Sequence, residues 1–136
     1  MKKTLRLLAF ALLTAMLCIT LASCSAPNSD PDDALAALKD NGITWAGKDA
    51  VAIPLALKVL GVDGIDTVVT GTGEIDEEFA HVTIIYFEEK DDANDAWEKV
   101  QEYADDERDD EASDWVCKKS GKMIYYGTKA AIKAAK

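Results

Sequence analysis

Residues 79–88 read Phe-Ala-His-Val-Thr-Ile-Ile-Tyr-Phe-Glu, and this run limits the possible folds more than any other. In an extended chain Phe79, His81, Thr83, Ile85 and Phe87 fall on one side, and Val82, Ile84 and Tyr86 on the other. Both sides are largely apolar, so the segment is expected as a central strand of a sheet and not as an edge.

The neighbouring segments supply partners for it. Residues 66–72 are rich in β-branched side chains and read as a second strand. Residues 115–126 read as a β-hairpin turning at Ser120-Gly121. That turn places Trp115 opposite Tyr126 and Cys117 opposite Ile124 on one face, and Val116 opposite Tyr125 and Lys118 opposite Met123 on the other. After Asp91 or Asp92, the residues Ala93, Ala96, Trp97, Val100, Tyr103 and Ala104 recur at helical spacing. Gly127-Thr128 should end the hairpin and cap a last helix over 129–136.

Two helices are expected ahead of the strands. Asp30 is a natural N-cap, Pro31 suits the first helical position, and Gly42 gives a left-handed stop with Ile43 behind it. Residues 50–60 are strongly apolar, but Pro54 argues against a central strand. A short helix near 54–60, or one starting earlier with a kink, ended by Gly61 and buried because it is apolar almost all round, is the expectation. The sum is an α+β fold in the order α-α-ββα-ββα, with two layers: an antiparallel sheet of about four strands covered by helices on one face.

The start of the chain reads as an address. Lys2, Lys3 and Arg6 precede an apolar run over 7–21, which ends at small residues. A basic start, an apolar middle and small residues before a cut make a secretory signal. Its end, Leu21-Ala22-Ser23-Cys24, resembles the lipobox of bacterial lipoproteins. The resemblance implies cleavage before Cys24, a diacylglycerol and acyl lipid on that cysteine as the only non-protein group, and the domain held outside the cytoplasm at a membrane. It divides the chain into a signal peptide (1–23), a lipidated cysteine with a polar tether (24–29) and one α+β domain (30–136). Two lipid chains hold stably where one does not.

The C-terminal half also resembles small uncharacterised bacterial lipoproteins of similar length. There a Tyr-Phe-Glu strand precedes a Trp-bearing helix, and a Ser-Gly-Lys hairpin leads into Tyr-Gly-Thr-Lys. The matching residues are Tyr86-Phe87-Glu88, Trp97, Ser120-Gly121-Lys122 and Tyr126-Gly127-Thr128-Lys129. No activity comes with that likeness.

Charge narrows the partners. Loss of Lys2, Lys3 and Arg6 with the signal leaves 12 of 15 basic residues against all 25 acidic ones, a formal balance of −13. Such a surface disfavours nucleic acid. The charge is also uneven: residues 105–111 are nearly all acidic, whereas Lys118, Lys119, Lys122, Lys129, Lys133 and Lys136 follow the last acid, Asp114. The plainest reading is two solvated faces; the functional one is an orientation device with the basic end toward the membrane.

Candidate chemistry is sparse. His81 is the only histidine, and no partner residue beside it in sequence completes a triad or a metal site. Of Cys18, Cys24 and Cys117, the first leaves with the signal and the second carries lipid, so Cys117 has no disulfide partner. It shares a strand face with Trp115, which favours a packed thiol over a reactive one. The acidic run lacks EF-hand spacing, and Gly71-Thr72-Gly73 lacks the lysine of a phosphate loop. No catalytic residue, metal ligand or cofactor is assigned. The expectation is a non-enzymatic binding module with an envelope protein as partner, meeting it through Lys119, Lys122, Tyr125, Lys129 and Lys133. The alternatives are a small-ligand or cation-binding protein and, third, an enzyme using Cys117 or His81.

Overall fold

The computed structural model describes residues 26–108 and 114–136. The chain runs α1 (Pro31–Asp40), β1 (Trp45–Lys48), α2 (Ala52–Val59), β2 (Ile65–Ile75), β3 (Glu78–Phe87), α3 (Lys90–Asp106), β4 (Trp115–Ser120), β5 (Met123–Thr128) and α4 (Lys129–Ala134). The fold is α+β. Five strands form one sheet in the order β1-β2-β3-β5-β4, and every neighbouring pair is antiparallel.

β3 is the middle strand, as its two apolar faces require. Ala80, Val82, Ile84 and Tyr86 pack with α1 and α4, through Ala34, Leu38, Ala131 and Ile132. Ile85 and Phe87 pack on the opposite face with α2 and α3, through Leu57, Ala93, Ala96, Val100 and Ala104. The sheet is therefore covered on both faces, in three layers. This corrects the expected two-layer form with helices on one face. It also corrects the strand number from about four to five, since β1 is not among the expected strands. β1 is short and pairs with the middle of β2, from Trp45 opposite Thr72 to Lys48 opposite Val69.

Local chemistry sets the element ends. The Asp30 carboxylate accepts from the amides of Asp32 (2.8 Å) and Asp33 (3.4 Å), which caps α1. At the far end Gly42 has φ +91°, and the Ile43 amide reaches back to the Leu38 carbonyl (3.1 Å). This is the left-handed stop expected there. α2 takes the earlier of the two expected starts, at Ala52, because Asp49 accepts from the amides of Val51, Ala52 and Ile53 at 2.9–3.1 Å. β2 carries one extra residue, Asp66, between the pairs Ile65–Phe87 and Thr67–Tyr86. That bulge turns Ile65 and Val68 to the same layer.

The β4–β5 hairpin is displaced by two residues from the expected register. Ser120 pairs with Met123, so Gly121-Lys122 form the turn, and Trp115 lies opposite Thr128 and Cys117 opposite Tyr126. Gly121 has φ +60° at the first central position, where a type II′ turn places glycine. At the other end Gly127 has φ +142°, and a side chain there would meet the His81 carbonyl oxygen at 2.0 Å. Only glycine lets β5 run this close to β3. Thr128 sits at the N-cap of α4 but does not cap it. Its hydroxyl accepts from the His81 amide (3.2 Å) and donates to the His81 carbonyl (3.4 Å), extending the ladder by a side chain.

Candidate interaction surfaces

α2 does not have the environment its composition suggests. Among its residues only Leu57 is fully buried. Val51 is 69 % exposed, Leu55 58 %, Val59 80 % and Leu60 48 %, and Trp45 on β1 is 61 % exposed. The expected buried helix is in fact an apolar ridge in solvent, attached through Leu57 with Ile53 packed beside it. The reason is position: α2 lies over β2, near the sheet edge, and meets chiefly β2 and the side of α3. Scattered exposed apolar residues are ordinary, but several on one short helix are not. Beside this ridge is an open cleft of about 390 Å³ with Asp49, Lys58, Asp63 and Asp66 on its walls. The Asp49 carboxylate is held by the α2 amides. Among the described residues, no three acidic, histidine or cysteine side chains converge to hold a metal ion.

The second surface is basic. A groove of about 230 Å³ runs between the β4–β5 hairpin and α4, with Val116, Tyr125 and Ile132 forming its floor and Lys118, Lys129, Lys133 and Lys136 its walls. The helix supplies Lys129 and Lys133 from one side by 4-residue spacing, and Lys136 follows just past its C-cap Ala135. β4 supplies the fourth, because Lys118 alternates onto the same side as Val116. No carboxylate side chain lines the groove.

The expected contact set is thus divided. Lys129 and Lys133 wall the groove, but Tyr125 is buried, 3 % exposed, and forms its floor instead of an exposed aromatic contact. Lys119 projects from the opposite sheet face, where it donates to Asn94 Oδ1 (2.5 Å) and lies 5.8 Å from the centre of the Trp97 ring. Lys122 is at the hairpin tip, away from α4. Lys118 and Lys136 were not in the expected set: strand alternation points to Lys118, whereas Lys136 follows the end of α4.

The N-terminal side of the domain meets this groove. Pro27 is buried, the Asn28 amide donates to the Ala135 carbonyl (2.8 Å), and the Tyr86 hydroxyl donates to the Asn28 carbonyl (2.7 Å). Ala26 lines a hollow shared with Lys118 and Tyr125. The stretch expected as a polar tether is therefore laid on the domain from Ala26 onward. Burial, with Asp30 nearby, moves the Tyr86 phenol well above its ordinary value, as expected for a hydroxyl that serves as a donor here.

His81 and Cys117 belong to the other sheet face. The His81 ring lies between Phe79 (6.5 Å between centres, 4° between planes) and Trp115 (5.8 Å, 5°). Its Nδ1 is 2.9 Å from Thr72 Oγ1 and its Nε2 is 3.2 Å from Thr83 Oγ1. Stacking and hydroxyl contacts hold the imidazole in one plane, the arrangement of a packed histidine. Trp115 donates from Nε1 to the Ala104 carbonyl (3.1 Å), tying the hairpin to the end of α3. Cys117 is half-buried beside these aromatics, and burial pushes its thiol up to about 11. A thiol so shifted is a poor nucleophile at neutral pH.

Leu21, Ala22, Ser23 and Cys24 lie outside the described residues, as do Asp109, Asp110 and Glu111 of the acidic run. The described part of that run forms the end of α3, where Asp105, Asp106 and Glu107 lie without a basic residue in the last turn. Among the described residues no helix is long and apolar enough to cross a membrane. No protein-family model, curated protein or solved structure matches this chain.

Proposed function

We propose that the chain is a lipid-anchored lipoprotein of a bacterial cell envelope, acting as a non-enzymatic binding module that offers α2 to a protein partner. The observation that carries the binding role is the exposed ridge of Val51, Leu55, Val59 and Leu60. A chain with this much charge has polar residues to spare, yet places aliphatic ones there, which is the composition of an interface centre. The anchor rests on the lipobox-like Leu21-Ala22-Ser23-Cys24 behind a basic, apolar signal. The packed state of His81 and the suppressed acidity of Cys117 favour binding over catalysis.

The binding role is tested by photo-cross-linking in intact cells, with a photoreactive residue at Leu55 or Val59 of the full-length protein and at Glu98 as an exposed polar control. A discrete adduct from the α2 positions and none from Glu98 is the expected result. Adducts of the protein with itself would make the partner a second copy. No adduct from either α2 position refutes the ridge as a contact surface. The anchor is tested separately by labelled palmitate, which should enter the wild-type protein and not Cys24→Ser.

A further inference from the structure

We propose that the lysine-walled groove between the β4–β5 hairpin and α4 rests on anionic lipid headgroups of the bilayer in which the protein is anchored. The inference builds on the lipid-anchor reading above and adds the face that meets the membrane. Two independent features place the groove there. The first is where the chain leaves the domain. Ala26 shares a hollow with Lys118 and Tyr125, and Asn28 is hydrogen-bonded to the end of α4 through Ala135. Cys24 is two residues before Ala26, and two residues span at most about 7 Å. A lipid on Cys24 therefore enters the bilayer beside Lys118.

The second feature is charge. The mature chain has a formal balance of −13 and would be repelled from an anionic surface if presented at random. The groove is walled by Lys118, Lys129, Lys133 and Lys136, all exposed, and no carboxylate side chain lines it. With a screening length of about 8 Å at physiological ionic strength, the acids of the opposite layer, those ending α3 among them, are largely hidden from headgroups that touch the lysines, while the acids of α1 share the α4 layer without lining the groove. Each lysine at an anionic surface strengthens association roughly fivefold. The apolar floor of Val116, Tyr125 and Ile132 accommodates the lysine stems while their ammonium groups reach outward.

The test uses full-length protein processed in bacterial cells and reconstituted in vesicles of phosphatidylcholine, alone or mixed with phosphatidylglycerol. An amine-acetylating reagent that does not cross membranes is applied, and each lysine is followed by mass spectrometry. Lys118, Lys129, Lys133 and Lys136 should react several-fold more slowly in the anionic vesicles, with protection lost in high salt. Lys58 and Lys90 should react equally in both. Equal reactivity of the four groove lysines in both vesicles overturns the proposal. Protection in native envelopes but not in phosphatidylglycerol vesicles also overturns it, and makes an acidic protein the occupant. The mass of the N-terminal peptide reports separately whether Cys24 is acylated. If it is not, the anchor reading fails on that measurement, and the same acetylation with excess vesicles still decides the lysine face. As a second arm, Lys→Gln at all four positions in a Cys24→Ser background should lower binding to phosphatidylglycerol vesicles by at least about tenfold. The four side chains are exposed, so the fold should survive the change. Unchanged binding refutes the groove as the contact.

Discussion

Leu57 and its neighbours on α2 offer a direct check of which way this helix faces. Leu57 is fully buried, in contact with the layer formed by Val68, Ile85 and α3, while Leu55 and Val59 project into solvent. Leu57→Ala removes the apolar surface that fixes the helix and leaves a void, a change that costs about 2–5 kcal/mol for a buried leucine. α2 is short and peripheral and can settle partly into the space, so a value near 3 kcal/mol is expected. For a domain of this size that lowers Tm by roughly 12 °C, at about 4 °C per kcal/mol. Leu55→Gln and Val59→Gln remove surface that water already covers, and each should change stability by no more than about 0.5 kcal/mol. The assay is urea unfolding followed by tryptophan fluorescence, with m compared across the variants to confirm that the unfolding transition is the same. A loss above about 1.5 kcal/mol for Leu55→Gln or Val59→Gln would mean that α2 is packed on that side, and the exposed ridge would no longer exist. A loss below about 1 kcal/mol for Leu57→Ala would refute its role as the attachment point.

Three further outcomes follow from the backbone and the titrating groups. The β2–β3 turn holds Asp76 at φ 52° and Glu77 at φ 67°, so Glu77→Gly should raise stability by about 0.5–1 kcal/mol in a thermal melt, whereas Glu77→Ala, which removes the charge but keeps Cβ, should not. Gly127→Ala would force Cβ onto the His81 carbonyl and should cost more than about 3 kcal/mol, read as loss of the folded fraction or of soluble yield. The Cys117 thiol is raised from 9.0 to about 11, so in that window the unfolded chain gives up a proton that the folded chain keeps. Stability should therefore fall as pH rises from 9 to about 11, more steeply than in Cys117→Ala, when urea midpoints are compared.

Much of the sheet was legible because alternation encodes it. β3 carries apolar residues on both faces and is the middle strand. That same observation already called for cover on both faces, and a one-sided arrangement of helices was inconsistent with it. β1 left little trace: Trp-Ala-Gly-Lys has no alternating apolar pattern, and only pairing with β2 makes it a strand. The hairpin slip reflects turn chemistry, since Ser-Gly and Gly-Lys both allow a two-residue loop and glycine belongs first in the type II′ form. A shift of two residues keeps each side chain on its face, so the facing of Cys117 and Val116 was read correctly despite the wrong partners. Composition misled at α2, where a sequence apolar but for Lys58 predicts burial, although its place near a sheet edge exposes it. The groove was only half visible, because it is built between a strand and a helix. Lys119 and Lys118 are adjacent in sequence and belong to opposite sheet faces.

The two surfaces have a fixed relation. α4 packs on the β3 face that holds Val82 and Ile84, and α2 on the face that holds Ile85 and Phe87. The sheet separates them, and Lys118 lies on the edge strand β4 while α2 lies over β2, near the other edge. A domain resting on its lysine groove would therefore hold the α2 ridge away from the bilayer. The short path from Ala26 to Cys24 makes that relation matter. A long tether would let the domain tumble and average its faces, whereas a lipid on Cys24, as proposed, with a reach of at most about 7 Å from Ala26, would leave charge to choose among a few orientations. The α4 layer also carries the acids of α1, so the choice rests on the groove itself, which no carboxylate side chain lines, and on the acidic end of α3 lying in the opposite layer. Membrane attraction and partner access would then be met by opposite faces of one sheet, and charge reversal on the groove should alter cross-linking from Leu55 or Val59 without touching α2.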